Sequence, residues 1–196
     1  LPKGQSLVIT DFFAQELLEK HRSQIKGTFA GGATGNTLHN YSVLSDDRSV
    51  ALGALPRQMQ LNDSAFQYVS KTSAHVDFSF TTPADAPMGR ALCFITPDKE
   101  RTFAIAQGCM NLMEPDRLPV DVITDSQALL VSAYLLRDID GPMGQTCLRA
   151  MDVAKSDDIP VVLSLGASNV VEELGDKLIP LIQDKVTVLA MNEQEA

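Results

Sequence analysis

An α/β fold is predicted by two patterns in the sequence. Between residues 128 and 191, short apolar runs alternate with segments of helical periodicity. Between His75 and Gln107, apolar and polar residues alternate with the period of two that marks half-buried strands. The first pattern implies βαβ crossovers and a parallel sheet flanked by helices; the second implies a small antiparallel insert.

The elements follow in order along the chain. Behind the run Leu7 to Thr10, Asp11 reads as the N-cap of a helix reaching about residue 23, with Phe13 and Leu17 one turn apart. Residues 28–35 form a glycine-rich loop, and a helix then runs from Asn36 to Leu44 with Leu38, Tyr41 and Leu44 at spacings of three. Ser49 to Leu55 reads as a strand and Ser64 to Ser70 as a helix presenting Phe66 and Val69 on one face. Val76, Phe78 and Phe80 open the antiparallel region, where Ala91–Ile95 and Thr102–Ala106 flank a turn at Pro97–Glu100 and predict a hairpin. The alternation then gives a strand from Ala128 to Leu136, a helix from Gly144 to Lys155, and a strand from Val161 to Leu165. A helix near Val170 to Ile179 and a strand from Val186 to Met191 complete it.

Composition narrows the function. Hydrophobic residues make up 44% of the 196 positions and charged residues 21%, which is ordinary for a folded domain and far from a disordered one. With 25 acidic against 16 basic side chains the formal charge is −9, which disfavours nucleic acid as a partner. An anionic small molecule stays open, because a local helix start or a single arginine can bind phosphate within an acidic protein. Cys93, Cys109 and Cys147 form no CxxC pair and read as free thiols. No apolar run approaches the roughly 20 residues of a membrane span and no signal-peptide pattern opens the chain, so a cytoplasmic location is expected. The start at Leu1 and the stop at Ala196, directly behind a strand, lead us to expect a segment of a longer protein, incomplete at both ends.

The densest glycine cluster is Gly31-Gly32-Ala33-Thr34-Gly35-Asn36, running straight into a helix. Glycine lets a backbone approach a ligand closely, and the free N–H groups of a helix start can donate to its oxygens. On the residues alone, a plain turn closing a strand-helix connection is the other reading, and for a bare Gly-Gly pair the commoner one. The string is neither a GxGxxG fingerprint nor a P-loop.

GGATGN followed by an amphipathic helix resembles the glycine-glycine signature of the ribokinase family of carbohydrate and nucleoside kinases. The strings GNTLHNYSVLSDDRSV, ERTFAI at 100–105 and VLAMNEQEA at 188–196 resemble its purine-nucleoside members in particular. The resemblance implies a ribokinase-like domain over residues 1–196, built as a Rossmann-type parallel sheet with a small β lid contributed by about 25–32 and 75–107. It also implies transfer of the γ-phosphoryl group of ATP, with Mg2+, to the 5′-hydroxyl of inosine or guanosine.

Site residues carry over onto matching positions. Gly31, Gly32 and Asn36 become ribose-binding candidates, with Thr34 beside them; backbone donors and a carboxamide suit vicinal hydroxyls. Arg101 becomes a substrate-binding residue and transition-state stabiliser, its alternative being a solvated arginine paired with Asp98 or Glu100. Asn192 and Glu195 match the family's N-x-x-E motif, which organises magnesium and phosphates. Tyr134 is a candidate to face the purine, with core packing as its alternative. His21, His39 and His75 show no metal spacing.

The family's G-A-G-D motif, which carries the catalytic base and anion hole, does not occur between Leu1 and Ala196. The base is therefore expected beyond Ala196, the first core strand upstream of Leu1, and the chain alone is expected to be inactive. Two other readings remain: a kinase of the same family for another sugar or nucleoside, and a non-catalytic sugar-binding module. The lid edge is a candidate surface for a homodimer.

Overall fold

The computed structural model describes residues 3–72 and 74–196. The first half of the chain contains β1 (Ser6–Ile9), α1 (Asp11–Lys20), α2 (Ala33–Ser45), β2 (Ser49–Val50), β3 (Ala54–Pro56) and α3 (Ser64–Thr72). Four short or hairpin strands follow: β4 (Val76–Asp77), β5 (Thr82–Ala84), β6 (Arg90–Ile95) and β7 (Arg101–Ala106). The remainder is α4 (Val120–Thr124), β8 (Leu129–Ser132), α5 (Pro142–Ser156), β9 (Val161–Ser164), α6 (Ser168–Leu174), α7 (Leu178–Lys185) and β10 (Val188–Ala190).

The parallel sheet has the order β10-β9-β8, with Leu129 opposite Val161 and Val188 opposite Val162. Each strand returns to the next through a helix, as parallel pairing requires. The main core lies here. Val161, Leu163 and Leu165 are buried from β9 and its continuation, Met151 and Ala154 from α5, and Val170 and Leu174 from α6. Pro142 at the first turn and the apolar stripe Met143, Cys147, Ala150, Met151 and Ala154 explain why α5 forms there and which face it buries.

The antiparallel hairpin joins β6 to β7, with Ile95 opposite Arg101 and Arg90 opposite Ala106. Its third strand is β1, parallel to β7 with Ser6 opposite Phe103. This corrects one expectation: residues 25–32 contribute no strand, and the strand added to the hairpin comes from Ser6–Ile9. The antiparallel region is also smaller than expected. Val76–Asp77 pairs parallel with β2 and Thr82–Ala84 parallel with β3, because each follows a return connection rather than a tight turn.

Other boundaries shift for local reasons. The N-cap of α1 is Thr10, in an extended conformation with its hydroxyl accepting from the Phe13 N–H at 3.1 Å; Asp11 is the first helical residue. Helix α2 begins at Ala33, because Gly32 (φ 101°) turns the chain immediately before it. The run 49–55 is two strands, divided at Gly53 with φ 156°. The strand expected to reach Leu136 ends at Ser132 and passes into a 3-10 turn over Ala133–Leu136, whose buried alanine and leucine continue the apolar run without continuing the strand. The helix expected over Val170–Ile179 breaks at Gly175 (φ 49°).

Candidate functional site

The carboxyl ends of the three parallel strands lie level, Ser132 opposite Ser164 and Ser164 opposite Ala190. In open parallel sheets ligands bind outside this edge, where loops diverge from the strand ends. Beyond β10, residues Asn192–Glu195 close a turn rather than a helix. The Asn192 side-chain oxygen accepts from the N–H groups of Gln194 (2.8 Å) and Glu195 (3.0 Å). The Glu195 carboxylate in turn accepts from the Asn192 Nδ2 (2.8 Å) and backbone N (3.2 Å). These reciprocal bonds hold Glu195 nearly buried, at 8% exposure, with the rest of its acceptor capacity uncommitted within the turn.

Tyr134 stands beside this turn. Its hydroxyl donates to the Gly166 carbonyl at 3.1 Å, and Gly166 has φ 83°. Burial pushes the Tyr134 phenol above its ordinary value; the charge of Arg137 opposes that shift, and the negative charge of Glu195 adds to it. The Arg137 guanidinium lies over one face of the ring, 5.7 Å from its centroid. The sequence expectation of Tyr134 on a strand thus becomes Tyr134 on a turn, braced by Gly166 and Arg137.

In the glycine loop, Gly31 and Gly32 are exposed, and a Cβ built on either would meet no atom within 4 Å. Their side is open. The Asn36 N–H bonds to the Gly32 carbonyl at 2.9 Å, so Asn36 sits in the first turn of α2 with its side chain exposed, and Thr34 is half-buried. Gly35 is different: a Cβ there would fall 1.5 Å from the Tyr68 hydroxyl, so this glycine serves the packing of α3 on α2. At the other end, Ser42 and Ser49 bond hydroxyl to hydroxyl at 2.7 Å and fix α2 on β2.

Arg101 begins β7 at the hairpin end and is exposed. Asp98, the partner proposed for it as a merely solvated residue, is bound by Lys3 and Thr96, which also hold its carboxyl below the usual range. Asn192, Glu195 and Tyr134 are brought together. Among the described residues, no hydrogen bond or ion pair joins them to Gly31, Gly32, Asn36 or Arg101.

Among the described residues, no cluster of three or more histidine, cysteine or acidic side chains is arranged to hold a metal. One nearly buried carboxylate suits Mg2+ in the way nucleotide enzymes commonly use it, through water and substrate phosphates rather than an all-protein cage. A cavity of about 690 Å3 lined by Asp46, Arg48, His75 and Asp77 lies at the far end of α2 from Gly32. No helix among the described residues is long and apolar enough to cross a membrane.

Over its whole length the chain is 41% identical to guanosine-inosine kinase of Escherichia coli strain K12, a match of 199 residues. The chain is a relative of guanosine-inosine kinase. It spans about half the length of the curated relatives it matches, 46% in each case. No protein-family model matches it. Among solved structures, adenosine kinase from Sinorhizobium meliloti superimposes with a TM-score of 0.80 at 22% identity, covering 98% of this chain and 57% of that one. A probable sugar kinase from Rhizobium etli gives 0.81 at 22% identity, covering 100% and 57%. Adenosine kinase from Anopheles gambiae, in complex with P1,P4-di(adenosine-5) tetraphosphate, gives 0.81 at 16%, covering 100% and 60%. The fold is therefore the ribokinase fold of the adenosine and sugar kinases.

Several residues at the strand ends escaped the sequence reading. Ser132 is 4% exposed, and its hydroxyl has no partner among the described residues. Gly166 directly follows an apolar strand, and that position was a readable signal for a ligand-side loop. Arg137 carried no such signal, because its partners are distant in sequence.

Proposed function

We propose that this chain is the nucleoside-binding portion of an ATP-dependent nucleoside kinase acting on inosine and guanosine. The observation that carries the reading is the 41% identity to guanosine-inosine kinase along the entire chain. The exposed backbone of Gly31 and Gly32 supports it, since the side where a Cβ would stand is open and a ribose can approach the chain closely there. Asn36 reads the same hydroxyls with its carboxamide, and Thr34 lines the loop. Tyr134 has one ring face under Arg137, which leaves only the other for a purine.

In the reaction, the 5′-oxygen of the nucleoside attacks the γ-phosphorus of ATP, the bond to the β-γ bridging oxygen breaks, and ADP leaves. The hydroxyl proton goes to a base supplied by sequence outside this chain. Mg2+ neutralises phosphate charge when bound. Glu195 and Asn192 would hold it through water, a role supported by the bonds that fix the carboxylate on Asn192. Arg101 is the fixed cation for the transferring group once the lid strands β1, β6 and β7 lie over the sugar. We place the enzyme in the cytoplasm, consistent with three free thiols, and assign a homodimer contact to the lid edge.

Phosphorylation assays on the full-length protein with inosine, guanosine, adenosine and ribose test the reading. Inosine and guanosine are expected to be the preferred acceptors, strictly dependent on ATP and Mg2+, and the 196-residue chain alone is expected to give no turnover. Preference for adenosine or ribose would reassign the substrate. Turnover by the isolated chain would show that no further segment is needed.

A further inference from the structure

A buried guanidinium joins the hairpin sheet to the core. The Arg137 side chain is only 7% exposed. Its Nη2 donates to the Ser6 carbonyl at 3.1 Å, to the Ser6 hydroxyl at 3.2 Å, and to Glu173 Oε1 at 2.8 Å. Its Nε lies 2.7 Å from Glu173 Oε2. Asn169, one turn before Glu173 on α6, donates to the same Ser6 carbonyl at 3.0 Å and to Glu173 at 2.9 Å, and accepts from the Ser6 hydroxyl at 3.2 Å. Ser6 is 6% exposed although it opens an edge strand.

The first residue of β1 is therefore held by two side chains of the core, more than 130 positions away in sequence. The same guanidinium lies over Tyr134, whose hydroxyl reaches Gly166 and whose neighbour is Glu195. One continuous set of contacts runs from lid strand to strand-end turn.

We propose that Arg137 is a positioning residue that seats β1 on the core and, through the face of Tyr134, ties that seat to the strand-end site. The permanently charged guanidinium bonds Ser6 and Glu173 Oε1 through Nη2 while its Nε stays in ion-pair contact with Oε2 without a hydrogen bond of its own; a lysine ammonium, a single point donor, would reach fewer of these groups at once. The structural part of the proposal stands on these contacts. Its kinetic part rests on the nucleoside-kinase reading above.

The test uses the full-length protein and two readouts. Hydrogen exchange is measured for the segments Ser6–Ile9 and Arg101–Ala106, with α5 as internal reference. Loss of charge-assisted bonds in Arg137→Met is expected to speed exchange in those two segments about tenfold while α5 is unchanged. Arg137→Lys, keeping the charge without the fork, recovers part of the difference. In the phosphorylation assay, Arg137→Met is expected to raise the nucleoside KM about tenfold with kcat within about threefold, the mark of lost grip rather than lost chemistry.

Unchanged exchange in β1 and β7, or a rise shared equally by α5, overturns the clamp. If Arg137→Met does not fold, Asn169→Ala removes the bonds of Asn169 to the Ser6 carbonyl and hydroxyl and to Glu173 and is expected to give an increase of about threefold confined to the same segments; no such rise overturns the proposal equally. If the wild-type protein phosphorylates no nucleoside, the functional reading fails, and the exchange comparison still decides the clamp.

Discussion

A Cβ on Gly166 would stand 2.5 Å from Cε2 of Tyr134. The glycine is doubly constrained, because its φ of 83° also lies in the left-handed region that side chains avoid. Gly166→Ala is expected to cost about 1–3 kcal/mol in urea unfolding, from backbone strain and from displacing the ring. Adding Tyr134→Ala removes the clash but leaves the strain, so the double variant should fall short of additivity by about 0.5 kcal/mol or more. Strict additivity would mean that the ring yields freely.

Glu195 is held by Asn192 and nearly buried. In the full-length protein, Glu195→Gln is expected to lower phosphorylation about 10- to 100-fold and raise the Mg2+ concentration needed for half-maximal rate. Stability should fall by about 1 kcal/mol, since the amide keeps an acceptor for one of the two Asn192 donors and loses the bond to the other. A stability loss without a change in Mg2+ dependence would assign Glu195 to turn structure alone.

How far these features were legible depended on the distance over which their causes act. The β8-α5-β9 alternation was readable because its apolar period is local, as was the loop that holds Gly31 and Gly32. The parallel pairing of β1 with β7 was not, because Ser6 and Phe103 carry no mark of each other in sequence. For the same reason nothing in the sequence marked Arg137. Gly35 misled in the opposite direction: beside Gly31 and Gly32 it looked like loop, but it lies in α2 to admit the Tyr68 hydroxyl. The apolar run 129–136 hid the end of β8, since a buried 3-10 turn and a buried strand have the same hydrophobicity.

At the opposite end of the core, Asp184 bonds to Lys155 and Lys185, and Lys185 also pairs with Asp152. The Lys155 and Lys185 ammonium groups hold the Asp184 carboxyl below its ordinary value. A depressed carboxylate contributes stability that is present above its unfolded pKa and lost as pH falls through the folded one, so the window lies below about pH 4. Urea unfolding from pH 6 down to pH 2 should show stability falling in that window, and Asp184→Asn should flatten part of the slope. Lys185 is raised chiefly by Asp152, so its contribution is present below the ordinary lysine pKa and is lost only as pH rises through the folded value, above about pH 10.4. An unchanged acid slope in Asp184→Asn would remove this cluster from the account.

The three cysteines should separate cleanly by reactivity. Burial pushes the Cys147 thiol up to about 12, and burial likewise raises Cys109, whose sulfur donates to the Ala54 carbonyl at 3.4 Å. Cys93, on β6, is exposed. The thiolate is the attacking species, so at pH 8 Cys147 presents on the order of 10⁻⁴ of its population as nucleophile, against roughly a quarter for a thiol at the ordinary value. A thiol-disulfide reagent added to the folded chain should therefore modify one cysteine rapidly, and all three only in denaturant. Cys93→Ser should abolish the rapid phase while leaving the unfolded count at two. A rapid phase surviving in Cys93→Ser would mean that α5 or the 3-10 turn Gly108–Asn111, which contains Cys109, opens far more readily than the packing of Cys147 and Cys109 implies.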